Sequence, residues 1–196
     1  MRRSILITAL MCLVMTSFMV SCNCPSQEGN PVIDNIFARK SVRNFEPGKT
    51  ISGEDIELLV KAGMAAPSAM NRQPWQFFVF SGKEQMLELS EKLPYAKMLK
   101  SASAAIVVLG NPEISSSWFI DCAAVTQNIL LAAESMGLGA VWTAGYPYED
   151  RISAITTALG IPQPWIPLSL IPIGYPAGEH LPKDKWDPAK VHYNKW

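Results

Sequence analysis

The sequence predicts a single domain with an α+β or three-layer fold, because short apolar strands alternate with amphipathic helices along most of its 196 residues. Hydrophobic residues make up 48% of the chain and charged residues only 17%, which is enough apolar side chain for a sizeable core. The chain has 17 basic and 17 acidic residues, so its formal net charge is zero. It therefore lacks an overall field that would hold nucleic acid or an anionic membrane, and any anion site must be local.

The first residues have the pattern of an export signal. Arg2 and Arg3 precede an apolar run from Ile5 to Val20, and Met19-Val20-Ser21-Cys22 resembles the lipobox of bacterial lipoproteins, in which the cysteine becomes lipidated. A conventional secretory signal cleaved nearby and a retained anchor helix are the alternatives. We expect a lipid anchor on Cys22 that holds the protein at a membrane of the bacterial cell envelope. The expected organisation is a signal peptide, a polar tether and one folded domain, at residues 1–21, 22–30 and 31–196.

The cysteines and histidines indicate neither a disulfide framework nor a metal site. Cys12 lies in the apolar segment and Cys22 is the expected lipid site, which leaves Cys24 and Cys122. Cys122 falls in an apolar helical run, so we expect a small core residue. The two histidines stand apart near the end of the chain, without the spacing of metal ligands.

Five helices follow from apolar residues at helical spacing. The second is preceded by a capping box, Ser52-Gly53-Glu54-Asp55. The fourth is apolar around most of its circumference, so we expect it to be central or pressed against a second subunit, and Gly137 supplies its C-terminal stop. The predicted helices lie near Val32–Phe37, after Ser52, and at about Glu84–Leu93, Ser117–Met136 and Tyr148–Leu159.

Four strands follow from compact apolar or aromatic runs. They are predicted at Gln76–Phe80, Ala104–Leu109, Gly139–Thr143 and Leu168–Ile173. Pro167 and Pro172 indicate that the last strand is an edge strand or an irregular one, because proline cannot donate to a ladder. The end of the chain, Trp186–Trp196, is charged and aromatic without period, and we expect an extended tail.

Two polar segments are the candidate site. The first is the cluster Arg39-Lys40-Ser41-Val42-Arg43, whose cations and hydroxyl suit a phosphate but also suit a solvated helix end. The second is the loop Pro67–Trp75, which supplies hydroxyl, amide and guanidinium groups suited to a planar polar ligand, although helix-to-strand turns use the same residue types. Lys183 and Lys185 form a second basic pair beyond the last strand.

These segments, in this order, resemble the nitroreductase family of FMN-binding flavoproteins. The resemblance rests on Arg39–Arg43, Pro67–Trp75, Gly137-Leu138-Gly139 and Ile173-Gly174-Tyr175-Pro176, and it extends from about Ile33 to Trp196. It implies a three-layer fold with a mostly antiparallel central sheet. It also implies a homodimer in which the long helix lies at the interface and each FMN site uses residues of both chains.

The resemblance also implies a role for particular residues. Arg39, Lys40 and Ser41 would face the ribityl phosphate, and Lys183 with Lys185 would close the same phosphate. The remaining implied contacts are with the flavin ring: Arg43 and Asn71 along the pyrimidine edge, Pro67, Ser68 and Ala69 along the flavin, and backbone groups of Gly145 and Tyr146 near N5.

The implied activity is electron transfer from NAD(P)H through FMN to a nitroaromatic, quinone or similar acceptor in a ping-pong cycle. No catalytic side chain is expected, because the cofactor carries the chemistry. An exported protein would not ordinarily meet NAD(P)H. The alternatives are therefore a non-catalytic or electron-transfer flavin-binding envelope lipoprotein with a different reductant, and an interaction domain that has lost the flavin.

Overall fold

The computed structural model describes residues 29–196. The signal peptide expected at 1–21, the lipid site at Cys22 and most of the tether lie outside the described residues. Within residues 29–196, no helix is both long enough and apolar enough to cross a membrane.

The described chain contains five helices and five strands. The helices are α1 (Pro31–Ala38), α2 (Gly53–Met64), α3 (Lys83–Lys92), α4 (Trp118–Ser135) and α5 (Glu149–Leu159). The strands are β1 (Trp75–Phe80), β2 (Ala104–Gly110), β3 (Gly139–Ala140), β4 (Thr143–Ala144) and β5 (Ile166–Gly174). The predicted N-terminal cap of α2 is confirmed, since the Ser52 hydroxyl accepts the Asp55 N–H at 3.0 Å.

One sheet runs through the molecule in the order β1-β2-β5-β3, with β4 also paired to β5. Every pairing is antiparallel. Side chains alternate across β2: Ala105, Val107 and Leu109 enter one apolar cluster, while Ile106 and Val108 enter the other. Residues of α3 and α5 cover the first face and residues of α2 and α4 cover the second. The predicted α+β, three-layer fold is confirmed.

The last strand is irregular but is not at the edge of the sheet. β5 pairs with β2 on one side and with β3 and β4 on the other, so the edge alternative is wrong. The sheet accommodates the prolines locally. The β2–β5 register shifts between Val108 and Leu109, beside Pro167, and the opposite partner strand is interrupted where Pro172 lies.

The third predicted strand is two strands. Gly139–Ala140 pairs with Gly174 and Ile173, Thr143–Ala144 pairs with Leu170 and Ser169, and residues 141–142 between them leave the ladder. Val141 is buried in the cluster beneath α3 and α5. The continuous strand Gly139–Thr143 was therefore a wrong prediction, because the apolar run shows burial but not where pairing stops.

The long helix α4 is central, as its composition predicts. Cys122, Val125 and Ile129 are fully buried in it, whereas Phe119 and Ile120 at its first turn are 39% and 59% exposed. Gly137 follows the helix with φ +70, which confirms the predicted C-terminal stop.

Candidate functional site

The basic stretch is fixed by buried residues on either side of Arg43. Val42 is buried, and its N–H donates to the Ala140 carbonyl at 3.0 Å. A Cβ on Gly139 would lie 2.6 Å from Val42 Cγ1, so glycine is needed there to let Val42 dock on β3. Phe45 is also buried and bridges to Pro176. Ser41 and Arg43, on either side of Val42, are consequently held exposed.

Lys40 has a partner of its own. Its Nζ lies 2.7 Å from Glu134 Oε1 near the C-terminal end of α4, and both side chains are largely buried, at 23% and 15% exposed. This ion pair attaches the basic stretch to the long helix. Arg39, next to it, is half-buried and makes no ion pair among the described residues.

The loop between α2 and β1 has an unusual backbone. Met70, Asn71 and Gln73 have φ angles of +53°, +54° and +49°. Residues other than glycine and asparagine seldom adopt this left-handed region. Hydrogen bonds within the loop support this shape: the Ser68 hydroxyl accepts the Gln73 N–H at 3.0 Å, and Gln73 Nε2 donates to Asn71 Oδ1 at 3.1 Å. Such conformations persist only where surrounding contacts impose them, and they concentrate at functional sites.

Asp121 provides the contact that holds this loop. The residue is 5% exposed; its Oδ1 accepts the Ala69 N–H at 3.0 Å and its Oδ2 accepts the Ser115 hydroxyl at 3.3 Å. Arg72 adds a second attachment by donating to the Ile114 carbonyl at 3.3 Å. Sequence reasoning missed Asp121, which is a single acidic residue in the apolar first half of α4 and belongs to no recognisable motif.

The two candidate segments lie at opposite ends of α4 in one chain. The loop is attached at Asp121 and the basic stretch at Glu134. At a rise of 1.5 Å per residue these positions are about 20 Å apart along the helix. The structure therefore does not bring Asn71 and Arg39 together within a single chain.

A cavity of about 430 Å³ lies beside Arg43. Its lining includes no acidic residue and three cations, Arg43, Lys97 and Arg151; Tyr95, Trp142 and Thr143 also line it. A volume of this size is in the range of small-molecule sites. Sequence reasoning missed Lys97 and Arg151, since neither belongs to a recognisable motif and only the fold places them beside Arg43.

Gly145 and Tyr146 follow directly from the strand that lines this cavity. Their N–H groups donate to the Leu168 and Pro167 carbonyls, both at 2.9 Å, so both are already used by the sheet. The Tyr146 ring packs against Trp118, with 4.8 Å between ring centroids, and lies 5.9 Å from Phe119. The segment therefore offers an aromatic surface next to the first turn of α4.

The second basic pair stands apart. Lys183 and Lys185 are exposed and make no ion pair or hydrogen bond within the described part of the chain.

The one cysteine of the described residues, Cys122, is not available as a nucleophile. Burial, reinforced by the neighbouring Asp121 charge, raises the pKa of the Cys122 thiol to about 12, so this cysteine stays protonated. It is fully buried, which confirms the predicted core role. Within residues 29–196, no group of three or more His, Cys, Asp or Glu side chains is placed to hold a metal ion.

The chain is an α+β protein with a two-faced antiparallel sheet and a cationic cavity of small-molecule size beside β4. Residues 36–104 and 83–175 match the sequence model of the Nitroreductase family. The chain therefore belongs to the nitroreductase family.

Relatives of known sequence and structure agree with this assignment. A Bacteroides thetaiotaomicron protein, provisionally named NADH dehydrogenase/NAD(P)H nitroreductase, is 50% identical, with a TM-score of 0.84 over 86% of this chain and 99% of that one. An Archaeoglobus fulgidus protein with the same provisional name is 42% identical over 82% of this chain and 96% of its own. A Desulfovibrio desulfuricans structure, provisionally named a nitroreductase and solved in complex with FMN, is 26% identical, with a TM-score of 0.74 over 86% of this chain and 99% of that one.

Proposed function

We propose that this chain is an FMN-dependent oxidoreductase that takes electrons from NAD(P)H and passes them to a nitroaromatic, quinone or similar acceptor in a ping-pong cycle. The observation that carries the proposal is the cationic cavity beside Arg43 in a chain of the nitroreductase family. The FMN-bound relative and the relatives named for NAD(P)H support the choice of cofactor and reductant.

The residues of the cavity fit the ring of a flavin. Bound FMN supplies hydride and electron chemistry, so the protein needs to bind and orient it. Arg43 and Lys97 are the cations that would stabilise negative charge at the pyrimidine edge, and the absence of an acidic lining residue leaves their charge available. Since both N–H groups of the Gly145–Tyr146 pair are used by β5, we propose that this pair contacts the ring through the Tyr146 carbonyl and side chain.

The phosphate of FMN would be held at the end of the cofactor away from the flavin ring. We assign it to Arg39 and Ser41, with Lys183 and Lys185 recruited from the exposed tail. The Glu134 ion pair gives Lys40 a structural role, so the phosphate proposal does not rest on it. Arg39→Ala should weaken the retention of FMN during purification. Unchanged retention would contradict the assignment of the phosphate to Arg39.

The distance along α4 supports a homodimer with shared sites. Pro67, Ser68, Ala69 and Asn71 would reach the flavin of the partner chain, because in their own chain they lie about 20 Å along the helix from the basic stretch. Exposed apolar residues are available for such an interface. They include Phe37 on α1, Phe119 and Ile120 on α4, and Trp186, Tyr193 and Trp196 in the tail.

One preparation tests the activity. The purified full chain is examined for bound yellow flavin, and NADH or NADPH is then added without oxygen. We expect a yellow protein whose colour is bleached by either nucleotide. Addition of a quinone or nitroaromatic should then reoxidise the flavin and restore the yellow colour. A colourless protein that FMN cannot reconstitute would contradict the proposal, and a yellow protein that neither nucleotide bleaches would favour the electron-transfer alternative.

We also propose that the folded domain, 31–196, is exported and anchored through a lipid on Cys22 at the cell envelope. The support is the sequence pattern of residues 1–22. Metabolic labelling with a radioactive fatty acid should label the wild-type chain and should not label the Cys22→Ser variant. Equal labelling of both would contradict the lipid assignment.

A further inference from the structure

Arg151 is a third cation on the cavity that holds Arg43 and Lys97. It lies in the first turn of α5, directly after the segment that carries Gly145 and Tyr146. No role for it follows from the sequence pattern.

The side chain is fixed by two aromatic rings and one carbonyl. Its guanidinium carbon lies 3.8 Å from the centroid of the Tyr148 ring and 5.0 Å from that of Tyr95. Its Nη1 donates to the Ala144 carbonyl at 3.4 Å. Cation–π contacts of this kind hold a guanidinium in place without neutralising its charge.

No carboxylate among residues 29–196 forms an ion pair with Arg151. Glu149 and Asp150 precede it in the chain, yet neither forms an ion pair with it, and no acidic residue lines the cavity. A half-buried arginine held by aromatic rings, with most of its N–H donors unused by the described chain, is suited to a ligand that is or becomes anionic.

We propose that Arg151 is a positioning residue that favours the reduced over the oxidised form of the flavin bound in this cavity. This inference rests on the proposed function. Reduction adds negative charge to the pyrimidine end of a flavin, and a fixed cation at the cavity stabilises that charge more than the neutral oxidised ring. The energy of the interaction is largest where water is partly excluded.

The test is the midpoint potential of the bound flavin, measured by anaerobic equilibration with a reference dye. Arg151→Gln should bind reduced FMN about tenfold less tightly relative to oxidised FMN, which for a two-electron couple lowers the potential by about 30 mV. Arg151→Lys keeps the charge and should retain most of the wild-type potential. Lys61→Gln removes a charge from an exposed ion pair on α2 and should leave the potential unchanged.

The outcomes separate this inference from the proposed function. A wild-type chain that binds no FMN contradicts the function itself. FMN bound by Arg151→Gln at the wild-type potential overturns only the inference, as does an Arg151→Lys potential as low as that of the glutamine variant. If Arg151→Gln does not fold, Tyr148→Leu removes the closest ring and should lower the potential in the same direction, and an unchanged potential there overturns the inference.

Discussion

At the scale of single residues, Asp121 determines the shape of the loop that carries Asn71. It supplies the acceptor for the Ala69 N–H and for the Ser115 hydroxyl, at 3.0 and 3.3 Å. Asp121→Ala leaves both donors without this partner, and we expect it to lower the free energy of unfolding by about 1–3 kcal/mol. Guanidinium denaturation measures the loss, and flavin fluorescence should report weaker FMN binding.

The matched control is Asp121→Asn. Its amide oxygen can still accept the Ala69 N–H, and the Ser115 hydroxyl can rotate to accept instead of donate. We expect this variant to regain most of the lost stability. An alanine variant as stable as the wild type would show that the loop holds its left-handed residues without Asp121.

Cys122, next along the helix, should be inert in the folded state. Its raised pKa means that the protonated thiol is favoured by folding. This contribution is fully present below the ordinary value of 9.0 and is lost as the pH rises toward about 12, because the unfolded chain ionises first. The stability advantage of the wild type over Cys122→Ala should therefore shrink across that range.

Alkylation gives a direct measurement. At about pH 8, peptide mass spectrometry should find Cys122 unmodified in the native protein and modified in guanidinium chloride, since only the exposed thiol forms thiolate readily. Rapid native labelling would contradict the buried, protonated thiol.

At the scale of elements, local signals predicted the helices well. α4 was expected at Ser117–Met136 and is observed at Trp118–Ser135, because Gly137 is a stop signal readable from the sequence.

Gly137→Ala forces a Cβ into a residue with a φ angle of +70° and should lower the free energy of unfolding by about 1–2 kcal/mol. Gly53→Ala is the control: it lies at the start of α2, has open space around its Cβ position and should be neutral or stabilising. Thermal denaturation compares them, and an equal effect of both would contradict the backbone argument.

Pairing and loop geometry were less accessible from the sequence. Pro172 predicted an irregular strand correctly, but the edge alternative failed because an interruption at residues 141–142 lets a central strand carry proline. The left-handed conformations of Met70 and Gln73 occur in a loop held by its own side chains and by Asp121 from α4, and residue propensities do not encode that combination. For the same reason Lys97 and Arg151 were missed, whereas Arg43 was found in a contiguous motif.

At the scale of the whole molecule, the separation of the two segments along α4 predicts complementation between defective chains. Arg39→Ala damages the phosphate end and Asn71→Ala damages the loop, so either homodimer should retain FMN poorly. In a mixed dimer with shared sites, one site contains both the Arg39→Ala and the Asn71→Ala substitution. The other site contains neither substitution. Random pairing of the two variants should then leave about a quarter of all sites intact.

Coexpression of the two variants with different affinity tags, followed by tandem purification, isolates the mixed dimer. We expect it to hold close to one tightly bound FMN per dimer, measured by flavin absorbance against protein mass. The control pairs Arg39→Ala with Ser41→Ala, two changes in the same segment, which leave each site with one defect and should restore no tight binding. If the site were complete within one chain, every site in the first mixed dimer would also carry a single defect. Recovery in the first pair but not in the control would therefore place the loop and the basic stretch on opposite chains of each flavin site.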